Sequence, residues 1–487
     1  MSVDDSILAH ISQSLLFHTD NGSVSCSSYS SEQVHVKRLV VAYSGGVDST
    51  VLLHAVVAAA KQGLIPFSLS SIVAVHVNHQ LSDQADSWQQ HCQQSAESLG
   101  IACFSEAVRV ESTGKGVEAA ARDARYSVFE RFLQPDDCLL LGHHQGDQAE
   151  TVLLRLFRGA GVKGLTAMPV SRAIGKASLL RPLLAVNQAA IQAYARQHQL
   201  TWVEDESNQS DHYDRNFLRN KVMPLMTQRW SSVESQLSKT AETMVETNTL
   251  LSDIAEDDLQ QLYHQQARTG YSVDFARLNQ LSLPRKKNLL RYWCEKLNYD
   301  LPDSQQMMQI EQQFFSRSAL LSSACVSWGR YELRQFSGRL YLMEALPKFI
   351  SPLAIEWDGA SDIDLQGAGV LRVVNKEAVV ENTSEKTREK TREKKRPKGI
   401  HIKAQAYQIR WRQGGERCTP ADRQHSQTVK KLLQEYQLET WLRDRVPLIY
   451  ADDELVAVGD LWVNKGYELK ATDIKAVVQW HPLIGEL

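Results

Sequence analysis

A chain of 487 residues is too long for one hydrophobic core, so two to four domains are expected. Its 43% hydrophobic and 23% charged content is that of an ordinary water-soluble protein, and no apolar run approaches the roughly 18 residues of a membrane span. The formal net charge of −3 excludes a uniformly basic nucleic-acid binder, but not a protein that gathers positive charge on one face.

The opening MSVDDSILAHISQ is acidic and has no basic stretch, which argues against a secretory leader. Seven cysteines, at 26, 92, 103, 138, 294, 325 and 418, form no CxxC pair and are odd in number. A disulfide framework is therefore not expected, and a reducing cytoplasm fits. Residues 1–35 are expected to be an extension, with a helix over 4–17 lying on the first domain and a Ser-rich connector behind it.

From 36 to 228 the pattern alternates between short apolar runs and amphipathic stretches, as a parallel sheet with helices on both faces requires. Strands are expected at 39–43, 71–77, 101–108 and 138–141, and helices at 82–99, 116–133 and 147–157. The first strand runs directly into Ser44-Gly45-Gly46-Val47-Asp48-Ser49-Thr50 and then into a helix. A strand, a glycine turn and a helix start aim backbone N–H groups at one point, which suits an anion. The turn has neither GxxxxGK[ST] nor GxGxxG, so it is not the common triphosphatase or dinucleotide loop. Asp48 inside such a turn implies a cation between its carboxylate and phosphates, hence Mg²⁺ as well as ATP. SGGVDS resembles the pyrophosphate loop of the ATP-pyrophosphatases, which cleave ATP to AMP and pyrophosphate.

Two further polar clusters fall at strand ends, where open parallel sheets bind ligands. One is His76–His79; His76 and Ala42 are expected beside the adenine, although both histidines also read as plain loop residues. The other is Gly142-His143-His144-Gln145-Gly146-Asp147-Gln148-Ala149-Glu150. Asp147 and Glu150 are spaced i, i+3 at a helix start, so they share a face. They can hold Mg²⁺ or a cationic amine, or simply cap the helix with Asp147 as the cap. Arg122 and Arg125 can neutralise an adenylate phosphate. Arg215 and Arg219, i, i+4 on an expected helix, form a basic ridge for RNA phosphate or for salt links to neighbouring acids.

SGGVDST, HVNHQLS, GVEAAARDARY, HHQGDQAETVLLRLFRGAG, RPLL and WVEDESNQSDHYDRNFLRNKVMP stand in that order. Together they resemble the tRNA(Ile)-lysidine synthase family of ATP-pyrophosphatases, strongly over 38–230 and again over 405–470. Two positions depart from the family pattern. Gly146 stands where the family often has an acid, and Gln80 where it often has glycine. The resemblance implies an α/β fold: a parallel-sheet, Rossmann-like ATP-pyrophosphatase domain, a helical domain and a C-terminal α+β domain. It implies ATP and Mg²⁺, free L-lysine, and an isoleucine tRNA with a CAU anticodon whose wobble cytidine is adenylated and then attacked by lysine. By carry-over, Ser44, Gly45, Gly46, Val47, Asp48, Ser49 and Thr50 hold phosphate, Asp48 also the metal. Asp48, Arg122 and Asp147 are the catalytic candidates. Glu150, with Arg125, Arg215 and Arg219, is assigned to lysine and tRNA. A cytoplasmic setting without membrane attachment follows, and a homodimer is allowed. The rivals are another ATP-dependent tRNA-modifying enzyme such as a thiolase, which the missing CxxC disfavours, and a non-catalytic RNA-binding regulator.

Beyond 228 the expected order is a helical tRNA-docking domain (229–325), a β-containing linker domain with a hairpin over 327–343 (326–375), a charged linker (376–400) and an α+β tRNA-binding domain (401–487). Arg285, Lys286, Lys287 and Arg291 suggest a second basic face. The repeat EKTREKTREKKRPK carries eight basic and three acidic residues and reads as a solvated excursion. Trp441 is equally a core residue or a base-stacking one.

Overall fold

The computed structural model describes residues 3–20, 36–109, 117–204, 206, 210–316, 324–351, 354–375, 400–469 and 476–482. The connector at 21–35, the Gly114-Lys115-Gly116 turn, much of the 204–209 run and the charged repeat at 385–398 lie outside the described residues. The chain divides into two compact units, Met1–Leu251 and Ser252–Leu487.

In the first unit, α1 (Val3–Asp20) precedes β1 (Arg38–Ala42), α2 (Val47–Lys61), β2 (Ile72–Asn78), α3 (Ala85–Leu99), β3 (Ala102–Ala107), α4 (Val117–Phe132), β4 (Asp137–Leu140) and α5 (Gln145–Phe157). A short helix, α6 (Val162–Leu165), leads to β5 (Ser171–Ile174), β6 (Ala177–Leu180) and α7 (Gln188–Gln197). The sheet order is β3-β2-β1-β4-β6-β5, parallel except for the β5–β6 pair. The four strands expected from sequence pattern are present, with ends shifted by a residue or so. The β5–β6 hairpin is additional; its runs are too short and too polar to show a clear period.

β1 is buried from Leu39 to Val41 because helices cover both faces of the sheet. On one face α1, α2 and α7 bury Ile7, Ile11, Leu15, Leu52, Leu53, Val56, Ile191 and Tyr194 with Leu39 and Val41. On the other, Val40, Val75 and Leu139 meet Phe129 of α4. At roughly 1.5–3 kcal/mol per fully buried large side chain, α1 contributes to this core as an integral element. β1 has β2 on one side and β4 on the other, so the sheet reverses direction between β1 and β4, where open α/β sheets bind ligands.

After α7 come α8 (Asp214–Phe217), a π-helical turn (Leu218–Val222), α9 (Met223–Arg229) and α10 (Val233–Gln261). Ala149 and Leu153 of α5 bury against Leu218 and Met223, with Val233 and Leu237 of α10 packed alongside.

The second unit departs from the all-helical expectation for 229–325. Tyr271–Asp274 pairs with Arg339–Glu344, which pairs with Tyr331–Phe336 and then Cys325–Trp328, so one antiparallel sheet crosses position 325. The hairpin over 327–343 is present with the register Tyr331↔Glu344 to Phe336↔Arg339. The basic face expected near 285–291 is largely spent internally. Arg285 binds Asp258 at 2.5 Å, Lys287 pairs with Glu311, and buried Lys286 donates to Asn279 Oδ1 at 3.0 Å. A second sheet places Ile355–Trp357, Tyr407–Arg410, Leu448–Ala451, Glu454–Val458 and Trp462–Val463 in order. Trp441 is half-buried, donates Nε1–H to Thr269 Oγ1 at 3.1 Å and meets Tyr341 edge-on at 5.1 Å, so packing engages it. No helix among the described residues is long and apolar enough to cross a membrane.

Candidate active site

The turn after β1 owes its shape to glycine. Gly45 sits at φ +86, and a Cβ there would stand 2.7 Å from Val203 Cγ2 and 2.9 Å from Cys92 Sγ. Only glycine meets both demands without displacing buried neighbours. Gly46 then starts α2 with no side-chain cap. The first-turn amides of a helix have no intrahelical acceptor, so an uncapped start leaves donors and the positive helix end for an anion. The hydroxyls expected to reach phosphate are instead fixing the turn: Ser49 Oγ donates to Gly46 O at 3.0 Å and Thr50 Oγ1 to the same oxygen at 2.9 Å. Ser44 Oγ lies 3.1 Å from Ser49 Oγ and accepts weakly from Gly46 N at 3.4 Å.

Asp48 Oδ1 is buried and has no hydrogen-bond partner among the described residues. Burial pushes this carboxyl above the usual carboxylate range; Asp147 and Glu150 push the same way, while His144 and Arg219 oppose them. An orphaned carboxylate oxygen beside uncapped helix amides fits a divalent cation bridging protein to phosphate, the way Mg²⁺ is commonly held, by one or two carboxylates plus substrate oxygens. Among the described residues no group of three or more His, Cys, Asp or Glu side chains could form a self-sufficient metal cage.

The turn after β4 lies against the first. A Cβ on Gly142 would come within 3.1 Å of the Asp48 carbonyl, so the two loops touch through backbone. Here the helix start is capped, and by His144, not Asp147. Gly146 N donates to His144 Nδ1 at 3.0 Å, and Asp147 at the third helical position accepts from His144 N at 3.1 Å. Because Nδ1 accepts, Nε2 carries the ring proton. Nε2 lies 3.8 Å from Asp48 Oδ2 and 3.6 Å from Asp147 Oδ2, beyond hydrogen-bond range but close in charge terms.

Asp147 and Glu150 are both buried and share a face, as expected. Arg215 and Arg219 bind them from the far end of the domain. Arg215 reaches Asp147 Oδ1 at 3.0 Å and Glu150 Oε2 at 2.8 Å; Arg219 reaches Asp147 Oδ1 at 2.9 Å and Glu150 Oε1 at 2.6 Å. Among the described residues the pair therefore forms a two-acid, two-guanidinium network with Asp147 and Glu150. Burial opposes ionisation of Asp147, but His144, Arg215, His143 and Arg219 outweigh it and hold the carboxyl down at about 2.

The two α4 arginines part company. Arg125 lies 3.4 Å from His79 Nε2. Arg122 lies 5.2 Å from the Tyr126 ring centre, which Arg172 also approaches at 5.1 Å. Arg181, from the RPLL run, is 3% exposed and its Nε has no partner among the described residues. Among the described residues no carboxylate pairs with Arg122, Arg172 or Arg181, so they form a positive wall. Burial lowers the pKa of His143 to about 3, with Arg181, Arg215 and Arg122 adding to it and Asp147 opposing. Arg172 was not singled out from sequence, and Arg181, Tyr126 and His143 were quoted within motifs without a role, because their meeting depends on the β5–β6 hairpin. His76 is buried and donates Nδ1–H to Tyr43 O at 2.9 Å, which ties it to the end of β1. Gln80 keeps a glycine-like backbone at φ +53, with Asn78 Oδ1 accepting its N–H at 2.9 Å.

Residues 24–226 match a PP-loop domain model, 274–341 the TilS substrate binding domain and 407–480 the TilS substrate C-terminal domain. The tRNA(Ile)-lysidine synthase of Coxiella burnetii is 38% identical over 435 residues, 89% of this chain and 91% of that one. Those of Pseudomonas fluorescens and Proteus mirabilis are 38% and 34% identical, over 86% and 91% of this chain and 88% and 95% of theirs. Among solved structures, the U34-tRNA thiolase NcsA of Methanococcus maripaludis is a loose match, with TM-score 0.38 and 15% identity over 50% of this chain and 79% of that one. On sequence similarity along nearly its whole length, this chain belongs to the tRNA(Ile)-lysidine synthase family.

Proposed function

We propose that this chain ligates free L-lysine to C2 of the wobble cytidine of an isoleucine tRNA with a CAU anticodon, consuming ATP and releasing AMP and pyrophosphate. The observation that carries the proposal is the uncapped α2 start with the orphaned Asp48 oxygen, set at the sheet's switch point in a chain of this family. Family membership disfavours the thiolase and regulator alternatives.

In the first step the cytidine O2 attacks the α-phosphorus of ATP, and the bond to the β-phosphate oxygen breaks. The first-turn amides of Val47, Asp48 and Ser49, in the turn shaped by Ser44, Gly45, Gly46 and Thr50, stabilise the charge that grows on the leaving pyrophosphate. Mg²⁺, held by Asp48, would neutralise phosphate charge there. Arg122, with Arg172 and Arg181 beside it, faces the α-phosphate, and Arg125 lies at the rim near His79. His76, buttressing β1, bounds the adenine side.

In the second step the lysine ε-amine adds to C2, AMP departs with the C2–O bond electrons, and the amine gives up a proton. A carboxylate held at about 2 is too weak a base to take that proton near neutral pH. Asp147, with Glu150, therefore acts by electrostatic orientation, held in place by the ion pairs of both acids with Arg215 and Arg219. A cytoplasmic enzyme that meets tRNA in solution belongs to the same proposal, and the homodimer is read out by sedimentation equilibrium.

The test is incorporation of labelled lysine into an unmodified isoleucine tRNA transcript, with pyrophosphate counted in parallel. The expected result is one lysine per tRNA, dependent on ATP and Mg²⁺. Pyrophosphate release that needs neither tRNA nor lysine would point to another reaction.

A further inference from the structure

The acids at the start of α5 are already neutralised by Arg215 and Arg219. A substrate that brings an ammonium group still needs a carboxylate of its own. Glu234, in the first turn of α10, is half-buried, and its Oε2 lies 3.8 Å from where a Cβ on Gly146 would stand. Gly146 has room for that approach because it lacks a side chain; a Cβ there would also stand 2.9 Å from His144 Cε1. Val233 and Leu237, on either side of Glu234, pack with Ala149 and Leu153 of α5 and so hold this turn of α10 beside that helix. Among the described residues no Lys, Arg or His pairs with Glu234.

We propose that Glu234 binds the α-ammonium of the amino-acid substrate and so sets the specificity of the site for a free α-amino acid. This rests on the proposed lysine ligation. The α-ammonium is the chemically consistent end. A carboxylate against the ε-amine would hold it protonated and oppose its attack, whereas the α-ammonium stays charged throughout. Glu234 is a late and local device: α10 brings it to the gap that a glycine leaves at 146.

The experiment compares Glu234→Gln and Glu234→Asp with the unaltered enzyme, using labelled lysine and, as a competitive inhibitor, 6-aminohexanoate, which keeps the ε-amine and carboxylate but lacks the α-amine. Loss of a charge-assisted contact predicts that KM for lysine rises roughly tenfold or more in Glu234→Gln with kcat changed far less, that Glu234→Asp recovers part of the loss, and that the inhibition constant of 6-aminohexanoate stays within about twofold. An unchanged lysine KM, or an equal weakening of lysine and 6-aminohexanoate, would overturn the assignment. Failure of the unaltered enzyme to incorporate lysine would instead contradict the proposed reaction.

Discussion

Two strand-to-helix turns meet at one edge of the sheet, and they are finished in opposite ways. The turn before α2 is left open: among the described residues no side chain caps it, and Asp48 Oδ1 has no partner. The turn before α5 is closed: His144 caps it, Asp147 completes the capping box, and two distant arginines neutralise Asp147 and Glu150. Similar local geometry thus gives an anion-receptive site in one place and a saturated charge network in the other. What separates them is capping and long-range pairing. The open turn keeps its first amides free of a side-chain cap, and the closed one holds its carboxylates in ion pairs.

The largest effect should come from the open turn. Asp48→Ala is expected to lower pyrophosphate release from ATP by about 10²–10³-fold while leaving tRNA affinity nearly unchanged. A parallel loss of tRNA binding in a filter assay would mean that Asp48 supports RNA docking and would erase the contrast.

The closed turn should answer in stability as well as in rate. Arg215→Met leaves part of the Asp147–Glu150 charge buried without its partner, at a cost of about 3 kcal/mol, read as a drop in melting temperature. A variant that melts with the unaltered enzyme would show that the network is dispensable. The same network predicts an acid sensitivity. The folded state holds Asp147 at about 2, below its usual value of 3.8, so the resulting stability is present above about pH 4 and is lost as pH falls toward 2. It amounts to on the order of 2 kcal/mol, and Asp147→Asn should flatten that part of the stability–pH curve.

The smallest effect belongs to Gln80. Glycine would relieve the left-handed backbone at φ +53 but would loosen the unfolded chain by a similar amount. Gln80→Gly should therefore change stability by less than about 0.5 kcal/mol. A loss well above that would show that the Gln80 side chain carries a contact of its own.

The same contrast explains what could be read from sequence. The open turn is local: strand, glycines, Asp48 and helix follow one another within a dozen residues, and the parallel sheet announces itself by its apolar strands. The closed turn is not. Arg215 and Arg219 lie 65 to 72 residues from the acids they bind, and Arg219 sits in a π-helical turn that no propensity signals, so their helical spacing suggested only RNA phosphate or salt links to neighbouring acids. His144 as the cap was hidden because histidine is not a usual capping residue. Glu234 and the Arg122–Arg172–Arg181 wall are assembled only by packing. In the second unit, Tyr271–Asp274 is too short to show strand alternation and joins its sheet through partners some 67 residues later.

The most direct test is a structure of the protein with a non-hydrolysable ATP analogue and Mg²⁺. The β- and γ-phosphates should lie against the amides of Val47, Asp48 and Ser49, with the cation on Asp48. A triphosphate bound elsewhere, with Asp48 Oδ1 still unpartnered, would contradict the account.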